Sequence, residues 1–157
     1  MERKVNVRGV VVDNDNRIFA VKHQTHDGKE SEYWATPGGG LDPDESLHAG
    51  LTREFIEEVG IVPTIGRLLF VQQYVGQHSS GEKVEGLEFF FHIENYLEFK
   101  NRIDLSATSH GFELAQVAFI HPRDEDILPK FLAEISIADY INGTQPVYVI
   151  DNLNTLS

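Results

Sequence analysis

A chain of 157 residues, 41% hydrophobic and 24% charged, fits one domain with a sizeable core and excludes a disordered or fibrous polymer. Its net charge of −12 repels an extended nucleic-acid backbone, so any phosphate chemistry on this surface must be cation-assisted. No cysteine, apolar signal segment or membrane-length run is present, which excludes disulfides, thiolate metal sites and membrane insertion and leaves a cytoplasmic protein as the expectation.

Val5 to Val12 is β-branched and Asp13-Asn14-Asp15-Asn16 follows as a turn signal. Ile18 to Lys22 resumes the strand pattern, so the two runs predict a hairpin. Polar residues from Gln24 to Ser31 predict a loop, and Tyr33-Trp34-Ala35 a short strand. That strand runs into Thr36-Pro37-Gly38-Gly39-Gly40, which neither a helix nor a central strand tolerates. A helix follows, capped either at Asp42, ahead of Pro43 and Glu45, or at Ser46, and stopped by Gly60. Arg67 to Val75, Leu87 to Ile93 and Phe112 to Ile120 read as strands, with Gly76 to Gly86 as a polar loop between the first two. Asp124-Glu125-Asp126 reads as a solvated helix start, ahead of a second helix between about Pro129 and Tyr140 and a last strand at Val147 to Ile150. The order, mostly strands with two helices, predicts an α/β sandwich with mixed pairing and no dividing linker.

On the first helix, Leu51, Phe55 and Val59 form one apolar stripe and Ile56 is expected to widen it. Glu54, Glu57 and Glu58 stand at i, i+3 and i+4 and share another face. Like charges at that spacing destabilise a helix, and two of them lie near its C-terminus, where the dipole disfavours them. A solvated acidic face is the plain alternative to a site for a hard cation, which takes oxygen ligands and keeps waters or phosphate oxygens in its remaining positions. The glycines just before the helix add weight to the cation, because backbone there can approach a ligand closely and offer carbonyl oxygens.

The stretch Gly39 to Ile61, GGLDPDESLHAGLTREFIEEVGI, resembles the Nudix box. Gly39, Glu45, Arg53, Glu54, Glu57, Glu58, Gly60 and Ile61 fall in register with it, and Phe55 replaces the usual aliphatic residue. The preceding Tyr33-to-Gly40 segment looks like that family's approach to the motif. The resemblance implies a single Nudix domain over residues 1–157, an α/β/α sandwich with a mixed β-sheet and a loop-helix-loop motif. It implies Mg2+ or Mn2+ held by Glu54, Glu57, Glu58 and the Gly38 carbonyl, with Arg53 orienting the glutamates. It further implies hydrolysis of a diphosphate linkage in a nucleoside diphosphate derivative, a nucleoside triphosphate or nucleotide-sugar-like compound, by water attack on phosphorus. The alternative is a non-catalytic Nudix-like module that senses nucleotides, though such modules usually lose box carboxylates that this chain keeps.

A carboxylate must orient or deprotonate the water, and the resemblance offers Glu54 or Glu113. A plain strand-edge carboxylate is the other reading of Glu113. By the same resemblance Arg8 and Lys22 stand where relatives place phosphate-contacting cations. Trp34 and Tyr33 are candidates to stack on a base or to fill the core, and Gly39 for close approach to the substrate. Position 76 is glycine where ADP-ribose-specific relatives often carry proline, which disfavours that substrate. The expected partner is a small nucleotide, with no extended nucleic acid and no membrane; a homodimer is compatible with the resemblance. The histidines show no metal-ligand spacing.

Overall fold

The computed structural model describes residues 1–25, 27–78, 80–102 and 114–156. In chain order the elements are β1 (Glu2–Val11), β2 (Ile18–His23), β3 (Trp34–Ala35), β4 (Gly38–Gly40), α1 (Leu47–Val59), β5 (Ile65–Gln77), β6 (Lys83–Ile93), α2 (Tyr96–Arg102), β7 (Leu114–Ile120), β8 (Ile127–Leu128), a 3-10 turn (Lys130–Ala133), α3 (Ile137–Ile141) and β9 (Tyr148–Leu156). They form a mixed five-stranded sheet, β4-β1-β6-β5-β9, and a second sheet, β7-β2-β3-β8.

The expected β1–β2 hairpin does not form. β1 pairs antiparallel with β4 and parallel with β6, while β2 pairs with β3 and β7 in the other sheet. Only the turn survives: the Asp13 N–H donates to Arg17 O at 3.0 Å, and a single bridge joins Val12 to Ile18. The reason is burial on both faces. Val10 and Val11 are both inaccessible, as are Ile18, Phe19, Ala20 and Val21, and a two-stranded ribbon covers only one face.

Asp13 anchors this crossing. Its fully buried carboxylate accepts hydrogen bonds from the N–H groups of Asp15 and Arg17 and from Arg17 Nε, each at 2.9 Å, and pairs with Lys100 Nζ of α2 at 3.2 Å. Burial pushes its pKa up, but the Arg17 N–H, Lys100 and the Asp15 N–H outweigh that, and the net shift is downward. A lowered folded pKa contributes stability that is complete above the ordinary value of about 3.9 and is lost as pH falls through the folded value. Asp13→Ala is therefore expected to cost about 2–3 kcal/mol at pH 7 and less at pH 3, measured by urea unfolding. Equal midpoints at pH 7 would contradict this role.

Local signals place α1. Ser46 is the N-cap, its side chain accepting from the Ala49 N–H at 3.0 Å, so Pro43 falls in the turn before the helix. At the other end Gly60 is left-handed and donates its N–H to Phe55 O and Ile56 O. Leu51, Phe55 and Val59 are buried as expected, but Ile56 is 46% exposed. One step past Phe55, about 100° around the axis, it lies outside the arc that meets the sheet, whereas Glu58 on the other flank is carried inward. α1 packs with Val7, Val11, Phe91 and Ile93. Val10, Phe70 and Phe90 pack instead with Phe131, Leu132 and Ile137 of the C-terminal turns. The result is an α/β/α sandwich.

Three further expectations change. The predicted helix near 129–140 is a 3-10 turn followed by the short α3, because Phe131, Leu132 and Ile137 all enter the core at a spacing one regular helix cannot aim to one side. Asp124, Glu125 and Asp126 are exposed, as expected, but lie in a turn rather than a helix start. Most of Gly76 to Gly86 is strand, with Gly76 opposite Val84, and the two strands are joined where the His78 N–H donates to Glu82 O at 2.8 Å. No described helix is long and apolar enough to cross a membrane.

Candidate functional site

β4 is the edge strand that delivers the glycine turn to α1. Gly38 has φ 141°, and a Cβ there would stand 2.0 Å from Val7 O, so only glycine lets this strand lie against β1. A Cβ on Gly39 would meet the Glu54 carboxyl carbon at 2.7 Å. The backbone of the turn thus lies directly on a carboxylate of the helix.

Arg53 holds the acidic face together. Its Nε and Nη2 grip Glu45 at 2.8 and 2.9 Å, its Nη1 donates to both Glu54 and Glu57 at 3.1 Å, and Nη2 reaches Gly40 O at 3.0 Å. The expected (i, i+4) pair with Glu57 is therefore one of five hydrogen bonds that Arg53 makes among the described residues, with Asp42 Oδ2 a further 3.4 Å from its Nε. The Arg53 hydrogen bonds, helped by the Asp42 N–H, lower the Glu45 pKa to about 2. Glu54 shifts the other way: burial, then the charge of Glu58, raises its pKa, with Arg53 opposing. Glu58 is buried at 8% exposure, and its Oε2 has no hydrogen-bond partner among the described residues. Its Oε1 stands 4.0 Å from His23 Nε2.

His23 opens onto a cavity of about 390 Å³ whose walls include Arg8, Tyr33, Gln72, Tyr74 and Glu88. Arg8 does not project a free cation into it. Its Nε binds Glu88 at 3.0 Å and its Nη1 donates to Thr36 O and Gly38 O at 3.3 and 3.2 Å. Neither Lys22 nor Trp34 is among the described residues that line this space. Trp34 is core, and Lys22 lies over its ring at 4.9 Å, with Glu30 at 3.9 Å. Tyr33, 46% exposed, takes the rim position instead. Glu113 lies outside the described residues.

The sequence matches the NUDIX domain family over residues 2–135. This chain belongs to the Nudix family. A putative 8-oxo-dGTP diphosphatase of Bacillus subtilis (strain 168) is 27% identical over 143 residues, covering 89% of this chain and 81% of that protein. A CTP pyrophosphohydrolase of Escherichia coli (strain K12) is 29% identical over 76 residues, covering 48% and 51%. A MutT-like protein of Streptomyces ambofaciens is 40% identical over 57 residues, 36% of this chain. The matched stretch thus spans about a third of the Streptomyces protein and half of the E. coli one. Among solved structures, a UDP-X diphosphatase superposes with TM-score 0.65 at 20% identity, over 95% of this chain and 68% of that one. The E. coli ORF135 protein superposes with TM-score 0.59 at 20% identity, over 93% and 95%. At these identities the structural likeness shows the Nudix fold.

The donor set of this Nudix site fits a hard divalent cation. It offers carboxylate and carbonyl oxygen, and it leaves one buried carboxylate oxygen, Glu58 Oε2, unsatisfied beside the repelling charge of Glu54. Among the described residues no three histidine or acidic side chains already converge on one point. Arg53 accounts for that by occupying an oxygen each of Glu54 and Glu57. Sequence reasoning missed His23, Gln72 and Glu88. The last two carried a signal: each falls in phase with buried aromatics of its own strand, Gln72 with Phe70 and Glu88 with Phe90.

Proposed function

We propose that this chain is a single-domain, metal-dependent Nudix hydrolase that cleaves the diphosphate linkage of a nucleoside diphosphate derivative, most simply a nucleoside triphosphate. The observation that carries it is the unsatisfied, buried Glu58 Oε2 beside Glu54, on a side chain whose Oε1 stands 4.0 Å from His23, a wall of the nucleotide-sized cavity. A buried anion without a partner is costly and persists where a ligand completes it. The relatives named as acting on CTP and 8-oxo-dGTP support a nucleoside triphosphate.

Glu54, Glu57, Glu58 and the Gly38 carbonyl would hold Mg2+ or Mn2+. Gly38 O already accepts one hydrogen bond from Arg8 and keeps its second lone pair. When bound, the cation lowers the pKa of a water and offsets the charge that grows on the phosphoryl oxygens. Arg53 keeps the carboxylates facing the turn. Glu54 takes the proton of the attacking water at the carboxylate oxygen that the cation leaves free. Glu113 is the alternative base. Arg8, neutralised by Glu88, orients the Gly38 strand rather than gripping phosphate alone.

The test is a panel of nucleoside triphosphates, ADP-ribose and UDP-sugars assayed with Mg2+ and with Mn2+ for phosphate or pyrophosphate release. Glu57→Gln should lower kcat at least about 100-fold, as loss of a charge-stabilising group does. Chelation should abolish turnover. Wild-type rates in the variant, or turnover indifferent to chelator, would overturn the reading.

A further inference from the structure

We infer that Glu88 and Gln72 are the specificity-determining pair of the cavity, reading a nucleobase edge that presents two adjacent N–H donors. This rests on the nucleotide-hydrolase reading for its ligand class, and on the cavity floor for its chemistry.

Gln72 and Glu88 face one another across β5 and β6, on the face that carries Phe70 and Phe90 deeper in the core. Both are buried, at 2% and 6% exposure, and both line the cavity. Each is fixed in orientation. Arg8 Nε donates to Glu88 Oε2 at 3.0 Å and Gln72 Nε2 to Glu88 Oε1 at 3.2 Å, so both carboxylate oxygens are pinned while each keeps a further lone pair. Because the Glu88 carboxylate only accepts, the Gln72 amide turns Nε2 toward it and leaves Oε1 to accept from Asn152 Nδ2 of β9 at 2.9 Å. An ion pair with no role beyond packing gains little here, since burial costs what the pairing returns and an apolar pair of similar volume serves as well. A flat wall completes the site. The Tyr74 ring lies over Gly86 so closely that a Cβ there would be 2.2 Å from it.

A fixed carboxylate accepts and never donates while ionised. Guanine sets N1–H and the N2 amino group side by side, two donors for two oxygens. Adenine and cytosine place a ring-nitrogen acceptor beside their amino group, and uracil flanks one N–H with two carbonyls. Each of those sets an acceptor against Glu88 and leaves a lone pair unmatched, which is the arrangement that rejects a ligand strongly. Arg8 ties this reader to the Gly38 strand, so the seating of the base and the position of the diphosphate are mechanically linked.

Calorimetric binding of GDP, IDP, ADP, CDP and UDP to the full chain in Mg2+ tests this. IDP lacks only the N2 amino group. Wild-type protein should bind GDP about tenfold more tightly than IDP, and about 100-fold more tightly than the other three. Glu88→Gln should bring GDP and IDP within about threefold of each other, because the amide offers only one acceptor oxygen. Thermal unfolding of the variant is read in parallel; if it does not fold, the wild-type ligand series decides alone. Equal affinity of the wild type for GDP and IDP, or a preference that survives Glu88→Gln, overturns the inference. A GDP preference without any turnover would support the base reader and sink the hydrolase reading, so the two fail separately.

Discussion

Glu58→Gln is expected to lower turnover and raise thermal stability together. The side chain is buried, one oxygen is unpartnered among the described residues, and its charge raises the pKa of Glu54 one helical turn away. Neutralising it removes a like-charge contact near a helix C-terminus and a poorly solvated anion, together about 0.5–1 kcal/mol in favour of the fold. The same change replaces an anionic carboxylate donor of the proposed cation site by a neutral amide with one oxygen, and kcat should fall at least about 100-fold. Thermal unfolding in chelator and steady-state kinetics in Mg2+ measure the two effects. A variant less stable than wild type in chelator would show that Glu58 is there to hold the fold, and the cation assignment would lose its main support.

Gly38→Ala should be among the most damaging single substitutions in the chain. Its Cβ would stand 2.0 Å from Val7 O and 2.9 Å from Arg8 Cα, both backbone, at a φ of 141° that side chains avoid. Relief requires β4 to leave β1, and we expect a loss of about 3 kcal/mol or more by urea unfolding. Gly39→Ala is the informative contrast. The three atoms nearest its Cβ would all belong to the Glu54 carboxylate, the far end of a flexible side chain, so stability should fall by about 1 kcal/mol or less while turnover collapses. Similar stability losses in the two variants would refute this division between a backbone-packing glycine and a site-facing one.

What could be read in advance follows from where each signal resides. The Gly60 stop and the stripe of Leu51, Phe55 and Val59 are local, so the course of α1 was legible, while the cap stayed open between Asp42 and Ser46, a choice the Ser46 side chain decides by accepting from the Ala49 N–H. The β1–β2 pairing was misread because a genuine turn sits between two strands whose partners are distant in sequence. Ile56 misled because its apolar character is satisfied nowhere in the core. Lys22, a candidate cation by the family resemblance, and Trp34, open between base stacking and core, lie against one another, and neither is among the described residues that line the cavity. Glu88 escaped notice within a run of phenylalanines, where its strand phase was the only clue to a polar floor. α2, which supplies Lys100 to Asp13, gave no strong periodic pattern over its short length.

The parallel pairing of β1 with β6 also bears on how this molecule comes into being. Val7 waits for Phe89, and Glu2 for Val84, so β1 acquires its main neighbour only after β2 to β5 and α1 have all been synthesised. Until then Val7, Val10 and Val11 have nowhere permanent to go, and the Gly38 turn that β1 supports has no fixed seat. Assembly must be late and nearly all at once, and loop closure over such separations makes it slow. A truncated product ending before β6 would be a sticky, unstructured fragment rather than a smaller enzyme.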